Sequence, residues 1–471
     1  MKYVSTRGEA KPASFNEALI EGLARDGGLY VPESWPQISR AEISALRGKS
    51  YAEVAFRVIA PFVGDDIPER DLKRMIKEAY ATFSHKDVTP LHQLSSGEYI
   101  LELFHGPTLA FKDVAMQLIS RLMDYVLTAR GERCTIVGAT SGDTGGAATE
   151  AFRGRERIDL IFTFPKGRVS PVQERMMTAI AEPNVHVLAI DGNFDDCQAI
   201  VKALFNDHAF RDRVKLSAVN SINWARIVAQ IVYYFTAAVA LGTPEKRVTF
   251  AVPTGNFGDV FAGYVAAKMG LPIERLVVAT NVNDILARTL ESGTYETRGV
   301  VATSSPAMDI QVSSNFERLL FDASGCDPAA VRDAMRDLGA NGKFALSENT
   351  LANMRELFLA SRADEAETRD TIRDVYKASG YVLDPHTAVG VAVARKLGVK
   401  TSQSPLVILG TAHPAKFPEA VAEACGVHPK LPASFSDLMA RPERLTSLPN
   451  DAKAVADFVL KHARAAKGAM A

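Results

Sequence analysis

The chain has 471 residues, 47% of them hydrophobic, enough to bury a large core divided among two or three domains. Its 54 basic and 55 acidic residues leave a net charge of -1, which excludes a global attraction to nucleic acid or to an anionic membrane. Any phosphate ligand must therefore be held by local donors.

From the amino terminus, Phe15 to Ala24, Tyr51 to Val63 and Ile67 to Phe83 read as helices, separated by Gly-Gly, Pro and Asp-Asp punctuation. Arg25-Asp26-Gly27-Gly28-Leu29-Tyr30-Val31-Pro32 reads as a turn entering a short strand. Met1 to Glu9 has neither an apolar core nor a small-residue cleavage pattern, and no apolar run reaches membrane-spanning length. A cytoplasmic protein with no membrane partner is expected.

From Tyr99 onward, short β-rich runs alternate with helical stretches: Tyr99 to Phe104, Cys134 to Ala139, Ile158 to Phe164, Val185 to Ile190, Val248 to Val252, Leu276 to Thr280 and Leu406 to Leu409. This alternation predicts an α/β fold with parallel sheets covered on both faces, and ligands in such folds gather at the carboxyl ends of strands. From Asp327 to Ser379 the mixed charges predict amphipathic helix, and beyond Pro429 only helix and loop without chemical signals.

The first chemically suggestive segment is Leu103-Phe104-His105-Gly106-Pro107-Thr108-Leu109-Ala110-Phe111-Lys112-Asp113. After it, Ala115, Leu118, Leu122 and Val126 recur at helical spacing up to Gly131, which puts Lys112 in the first turn of a helix. A cation at the positive end of the helix dipole is disfavoured by roughly 0.3 to 1 kcal/mol, and burial adds to that. The lysine is then either an ordinary solvated one or a neutral amine able to attack an aldehyde.

The loop Gly138-Ala139-Thr140-Ser141-Gly142-Asp143-Thr144-Gly145-Gly146-Ala147 lies between a strand and a helix, where small residues bring main-chain amides close to an anion. Such a loop can receive a carboxylate or be only a tight turn. Pro165-Lys166-Gly167-Arg168 places two cations beside a turn, either solvated or available to a phosphate. Asp191-Gly192-Asn193-Phe194-Asp195 imitates a calcium loop but has Asp196 where the sixth position needs glycine, so no metal is expected. Asn220 to Ile227 opens a long apolar helix; Ser221 or Asn223 can cap it, and Arg226 within it requires an anionic partner.

Pro253-Thr254-Gly255-Asn256-Phe257-Gly258-Asp259 is the strongest phosphate site: the amides of Gly255, Asn256, Phe257 and Asp259 can converge on one dianion at a helix start. Only the backbone of Asp259 should touch it, because a carboxylate repels phosphate. Asp384-Pro385-His386-Thr387 reads as a helix cap, and Leu406 to Leu409 as a buried strand ending at Thr411. Cys134, Cys197, Cys326 and Cys425 form no metal-type pairs and are expected to be reduced thiols.

Taken together, His105-Gly106-Pro107-Thr108 with Phe111-Lys112-Asp113, Ser141-Gly142-Asp143-Thr144-Gly145, Gly255-Asn256-Phe257-Gly258-Asp259 and Gly410-Thr411-Ala412-His413-Pro414 resemble the threonine synthase family of fold-type II pyridoxal-phosphate (PLP) enzymes. The likeness begins at Tyr3-Val4-Ser5-Thr6-Arg7-Gly8 and spans nearly the whole chain.

The resemblance implies two parallel-sheet α/β domains with the cofactor between them, behind a mostly helical amino-terminal region. The units are expected at about 1–95, 96–240 (with the lysine) and 241–471 (with the phosphate loop). It implies Lys112 as the residue that carries PLP, the Gly255, Asn256, Phe257 and Asp259 amides on the cofactor phosphate, and Thr411 on its pyridine nitrogen. It implies Ser141, Asp143 and Thr144 on the substrate α-carboxylate; the partner that Arg226 needs on its apolar helix is expected to be an anionic substrate group. The activity implied is conversion of O-phospho-L-homoserine and water to L-threonine and phosphate, with the small-molecule substrate as partner and the choice between monomer and oligomer left open. A phospholyase of the same fold and a non-catalytic PLP-binding protein are the alternatives.

Overall fold

The computed structural model describes residues 1–402 and 404–467. Helix starts in the amino-terminal region are written locally. Ser14, Ser39 and Ser50 each cap a helix and pair with a glutamate three residues on, in Glu17, Glu42 and Glu53. Each such cap contributes about 1 kcal/mol. The Tyr51–Val63 helix has the expected ends; Phe15–Glu21 stops earlier than expected because Gly22 takes a positive φ of 67°. Glu69–Tyr80 starts after Pro68, which has no N–H to donate. Tyr3–Ser5 pairs antiparallel with Tyr30–Pro32, the short strand expected there.

Two sheets carry the rest. The larger runs, in spatial order, Phe358–Arg362, Ile273–Thr280, Val248–Pro253, Leu406–Gly410, Glu98–Glu102 and Leu91–Ser95, parallel except for its last pair. The smaller runs Thr446–Leu448, Val185–Ile190, Ile158–Pro165, Cys134–Ala139 and Leu216–Ser217, all parallel. Every strand of Val248–Pro253, Ile158–Pro165 and Leu406–Gly410 is buried along its length, as sheets covered on both faces require.

Sheet membership crosses the boundaries expected near 95 and 240. Glu98–Glu102 belongs to the larger sheet, whereas Thr446–Leu448, near the carboxyl end, belongs to the smaller one. Two expectations are corrected. The stretch from Asp327 to Ser379 is not helix throughout: it holds the edge strands Lys343–Ala345 and Phe358–Arg362. The segment beyond Pro429 contributes a strand as well as helix.

The Trp224–Ala240 helix binds the amino-terminal region to the body of the protein. Trp224, with 1% of its surface exposed, lies against Tyr3, Trp35 and Phe62, and the Tyr3 hydroxyl donates to the Phe62 carbonyl at 2.6 Å. Among the described residues no helix is long and apolar enough to cross a membrane.

Candidate active site

Lys112 is the first residue of the Lys112–Arg130 helix, which ends at Gly131 in the left-handed conformation. Gly106 makes the approach possible, because a side chain there would place its Cβ 2.4 Å from the Asp113 Cβ. Asp113 accepts from the Thr108 amide at 2.7 Å and the Thr108 hydroxyl at 2.6 Å, folding the turn onto the helix start. Two main-chain hydrogen bonds fasten this segment to the end of the Leu406–Gly410 strand: Phe111 N–H donates to the Thr411 carbonyl at 2.9 Å and His413 N–H donates to the Leu109 carbonyl at 3.0 Å, which together make an antiparallel bridge between Ala110 and Ala412.

Lys112 is buried, with Nζ 5.0 Å from the centre of the Phe111 ring. Burial lowers its proton affinity; Asp143 at 3.5 Å opposes that, and the cations of Lys416 and Arg226 reinforce it. The Thr411 amide donates to Thr387 Oγ1 at 3.2 Å, while the Thr411 hydroxyl is buried without a hydrogen-bond partner. A buried orphan hydroxyl costs about 1 to 3 kcal/mol, so its persistence points to a ligand.

The Thr140–Gly146 turn uses its groups differently from the simple anion loop expected. Thr140 Oγ1 accepts from the amides of Gly142 at 2.9 Å and Gly145 at 2.8 Å, which commits both inside the loop. Asp143 and Thr144, as first-turn residues of the Asp143–Phe152 helix, keep amides with no intrahelical acceptor. Ser141 and Thr144 are half-buried and face the cavity. The Asp143 carboxylate turns to Lys416 at 2.6 Å and Gln173 at 2.9 Å. Burial alone would raise its pKa, but Lys416 first and Lys112 second hold it well below the usual carboxylate range.

At the other wall, Gly255 to Asp259 follows the Val248–Pro253 strand and opens the Gly258–Lys268 helix. A Cβ on Gly255 would lie 2.8 Å from the Ala307 carbonyl. Phe257 caps the helix at a φ of 63°, a left-handed conformation that non-glycine residues adopt at a cost. Ser313 Oγ donates to the Gly255 carbonyl at 2.7 Å, and Asn315 donates to the Asn256 carbonyl from its amide at 3.1 Å and its side chain at 3.0 Å. With those carbonyls tied outward, the amides are left at the positive end of the helix. The Asp259 carboxyl is turned away, accepting from the Tyr233 and Tyr234 hydroxyls; burial raises its pKa to about 6.

Arg226 is 3% exposed, its Nε has no partner, and burial lowers its pKa to about 10. Asn223 caps its helix by accepting from Ala225 N–H at 3.1 Å, and Asp384 likewise caps Pro385–Lys396. Lys166 and Arg168 are exposed outside the cavity, Lys166 lying 3.7 Å from Asp191. Asn193 caps the Phe194–Asn206 helix, so the calcium-like sequence is a helix start. The four cysteines are free.

A cavity of about 1150 Å3 takes in Lys112, Ser141, Asp143, Thr144, Arg226, Gly255, Asn256, Phe257, Asp259 and Thr411. The sequence reading missed Lys416 and Gln173, which hold Asp143 from behind. Lys416 repeats the aromatic-lysine pairing of Phe111-Lys112 in Lys416-Phe417, the one signal that could have drawn attention to it.

A buried amine, a hydroxyl without a partner and a helix start stripped of competing carbonyls suit an aldehyde, a ring nitrogen and a phosphate, which define a PLP-dependent enzyme of fold type II. The family model for pyridoxal-phosphate-dependent enzymes accordingly matches residues 83–411, between models for the threonine synthase N terminus at 2–80 and the threonine synthase C-terminal region at 387–459. The chain is 52% identical over 468 residues to the threonine synthase of Pseudomonas aeruginosa, covering 99% of this chain and 100% of that one. The crystal structure of PLP-bound threonine synthase from Brucella melitensis superposes with a TM-score of 0.95 at 61% identity, over 98% of this chain and 100% of that one. The yeast threonine synthase structure gives 0.92 at 42% identity, over 98% of each. The chain belongs to the threonine synthase family.

Proposed function

We propose that this chain converts O-phospho-L-homoserine and water to L-threonine and phosphate in the cytoplasm, using PLP. The observation that carries the reading is the meeting, in one cavity, of a buried lysine, an unpartnered threonine hydroxyl and a helix start with free amides.

Lys112 would hold PLP, the Gly255–Asp259 amides its phosphate, and the Thr411 hydroxyl its pyridine nitrogen. When bound, the cofactor supplies an acceptor for the electron pair left at the substrate Cα. Thr411, being neutral, can share a hydrogen bond with that nitrogen but cannot balance a full positive charge on it, as a carboxylate would.

Lys112, once free, moves protons at Cα and Cβ, and its lowered proton affinity suits both directions. The amides of Asp143 and Thr144, with the Ser141 hydroxyl, orient the α-carboxylate and so select the bond at Cα that breaks. Arg226, whose Nε has no partner, offers its guanidinium to the anionic end of the substrate. The Cγ–O bond breaks as phosphate leaves with its electron pair, the proton taken from Cβ is returned at Cγ to complete the methyl group, and water adds its hydroxyl at Cβ while its remaining proton passes to the phosphate.

The test is incubation of the purified protein with O-phospho-L-homoserine while threonine and phosphate are measured together. Equal amounts of both are expected. Phosphate released with 2-oxobutyrate instead of threonine would replace this reading with a phospholyase, and no phosphate at all would reduce the site to cofactor binding.

A further inference from the structure

Lys112 and Lys416 share one carboxylate, and they share it unequally. Asp143 Oδ1 lies 2.6 Å from Lys416 Nζ, while its Oδ2 lies 3.5 Å from Lys112 Nζ. Lys416 is 1% exposed and spends a second donor on the Thr108 carbonyl at 2.8 Å. Gln173 holds the same carboxylate oxygen as Lys416, at 2.9 Å. Lys112, by contrast, borders the cavity and has only the longer contact. Two ammonium groups against one carboxylate leave an uncompensated buried charge, which is unfavourable. Of the two lysines, Lys112 has the weaker partner and the open face.

We propose that Lys416 is a positioning residue of this active site: by taking Asp143 as its own counter-ion it leaves Lys112 without a full one and so favours the neutral amine. The inference rests on the reading of Lys112 as the amine that carries the cofactor. Lys416 also fixes geometry, since Thr108 belongs to the turn that Asp113 folds onto the lysine helix. The residue arrives from the Pro414–Lys416 turn that follows Thr411, so one short segment places both the hydroxyl and the second ammonium.

The other charges facing Lys112 come from Arg226 and from Asp259, and Asp113 faces Lys416. Among the described residues, Asp143 is the one whose carboxylate lies within 4 Å of the Lys112 amine. Lys416 therefore decides how much of that carboxylate Lys112 receives.

The experiment is a pH titration of the bound cofactor's absorbance in the holoenzyme, for the wild type, Lys416→Met, Asp143→Asn and the double variant. Removing the Lys416 charge frees Asp143 for Lys112, so the midpoint should rise by about one pH unit. Removing the carboxylate leaves Lys112 facing Lys416 unshielded, so Asp143→Asn should lower it. The double variant deletes one charge of each sign and should return to within about half a unit of the wild type. A purely packing role would not move the two single variants in opposite directions.

Single variants that shift the same way, or a midpoint unmoved in either, would overturn the inference. Should Lys416→Met fail to fold, Lys416→Gln, which removes the charge and keeps a donor for the Thr108 carbonyl, takes its place: a raised midpoint supports the inference and an unchanged or lowered one overturns it. Borohydride reduction of the wild type followed by peptide mass analysis separates the two levels. Cofactor fixed on a residue other than Lys112 removes both readings, while cofactor fixed on Lys112 with unmoved variants removes only the role of Lys416.

Discussion

Phe111 donates its main-chain N–H to the Thr411 carbonyl at 2.9 Å, so the residue before the lysine and the residue with the orphan hydroxyl are held in one register. The two groups proposed to grip opposite sides of the cofactor ring are thereby set by backbone, which side-chain motion does not disturb. Each end of that link can be tested separately.

Lys112→Ala removes both the covalent anchor and the proton carrier. We expect turnover to fall by ~10^3-fold or more, with loss of the absorbance of bound cofactor, while the fold persists because the substitution also removes a buried amine. Steady-state rates and the spectrum of the purified variant check it. A variant that turns over normally would end the mechanism.

Thr411→Val keeps the shape of the side chain and deletes the hydroxyl that has no partner inside the protein. One hydrogen bond is worth about 1 to 3 kcal/mol when its loss strands a buried group, so kcat should drop by ~10- to 100-fold with cofactor still attached. Thermal stability should hold or rise, since no internal bond is broken. An unchanged kcat would show that this hydroxyl does not meet the ring.

Much of this was readable without coordinates, for a physical reason. The lysine helix, its Gly131 stop and the strands from Cys134 to Ala139 and Val185 to Ile190 depend on local periodicity and punctuation, which a sequence records directly. Phe358–Arg362 escaped because an edge strand is half-exposed and carries charge, so it reads like its helical neighbours. Thr446–Leu448 escaped because three exposed or half-buried residues become a strand only through a partner at Leu188 to Ile190. Lys416 was missed for a different reason. Its partner Thr108 lies 308 residues away, and no spacing rule joins them.

Arg226→Leu separates stability from function at one position. The guanidinium is buried with an unpaired Nε, which destabilises the protein until an anion arrives. The substitution should leave the melting temperature unchanged or higher, yet raise KM for O-phospho-L-homoserine by about tenfold or more, the cost of a charge-assisted hydrogen bond. Unchanged apparent affinity would exclude Arg226 from the substrate site.

Asp259 gives the protein a pH signature that can be read without substrate. Its pKa is raised to about 6 by burial first, against the lowering effect of Tyr233 and Tyr234, from an ordinary value of 3.8. The folded state therefore holds a proton on this group that the unfolded chain releases near pH 4. The associated stability is complete below pH 4 and is lost as pH climbs through 6. A shift of roughly two units corresponds to about 3 kcal/mol for this fully buried group. Asp259→Asn cannot titrate, so its unfolding free energy relative to wild type should improve by about that amount between pH 4 and pH 7, read by denaturant melts of the cofactor-free protein at each pH. A stability difference that stays flat across the interval would mean that Asp259 is ionised throughout, with Arg226 rather than the tyrosines setting its charge.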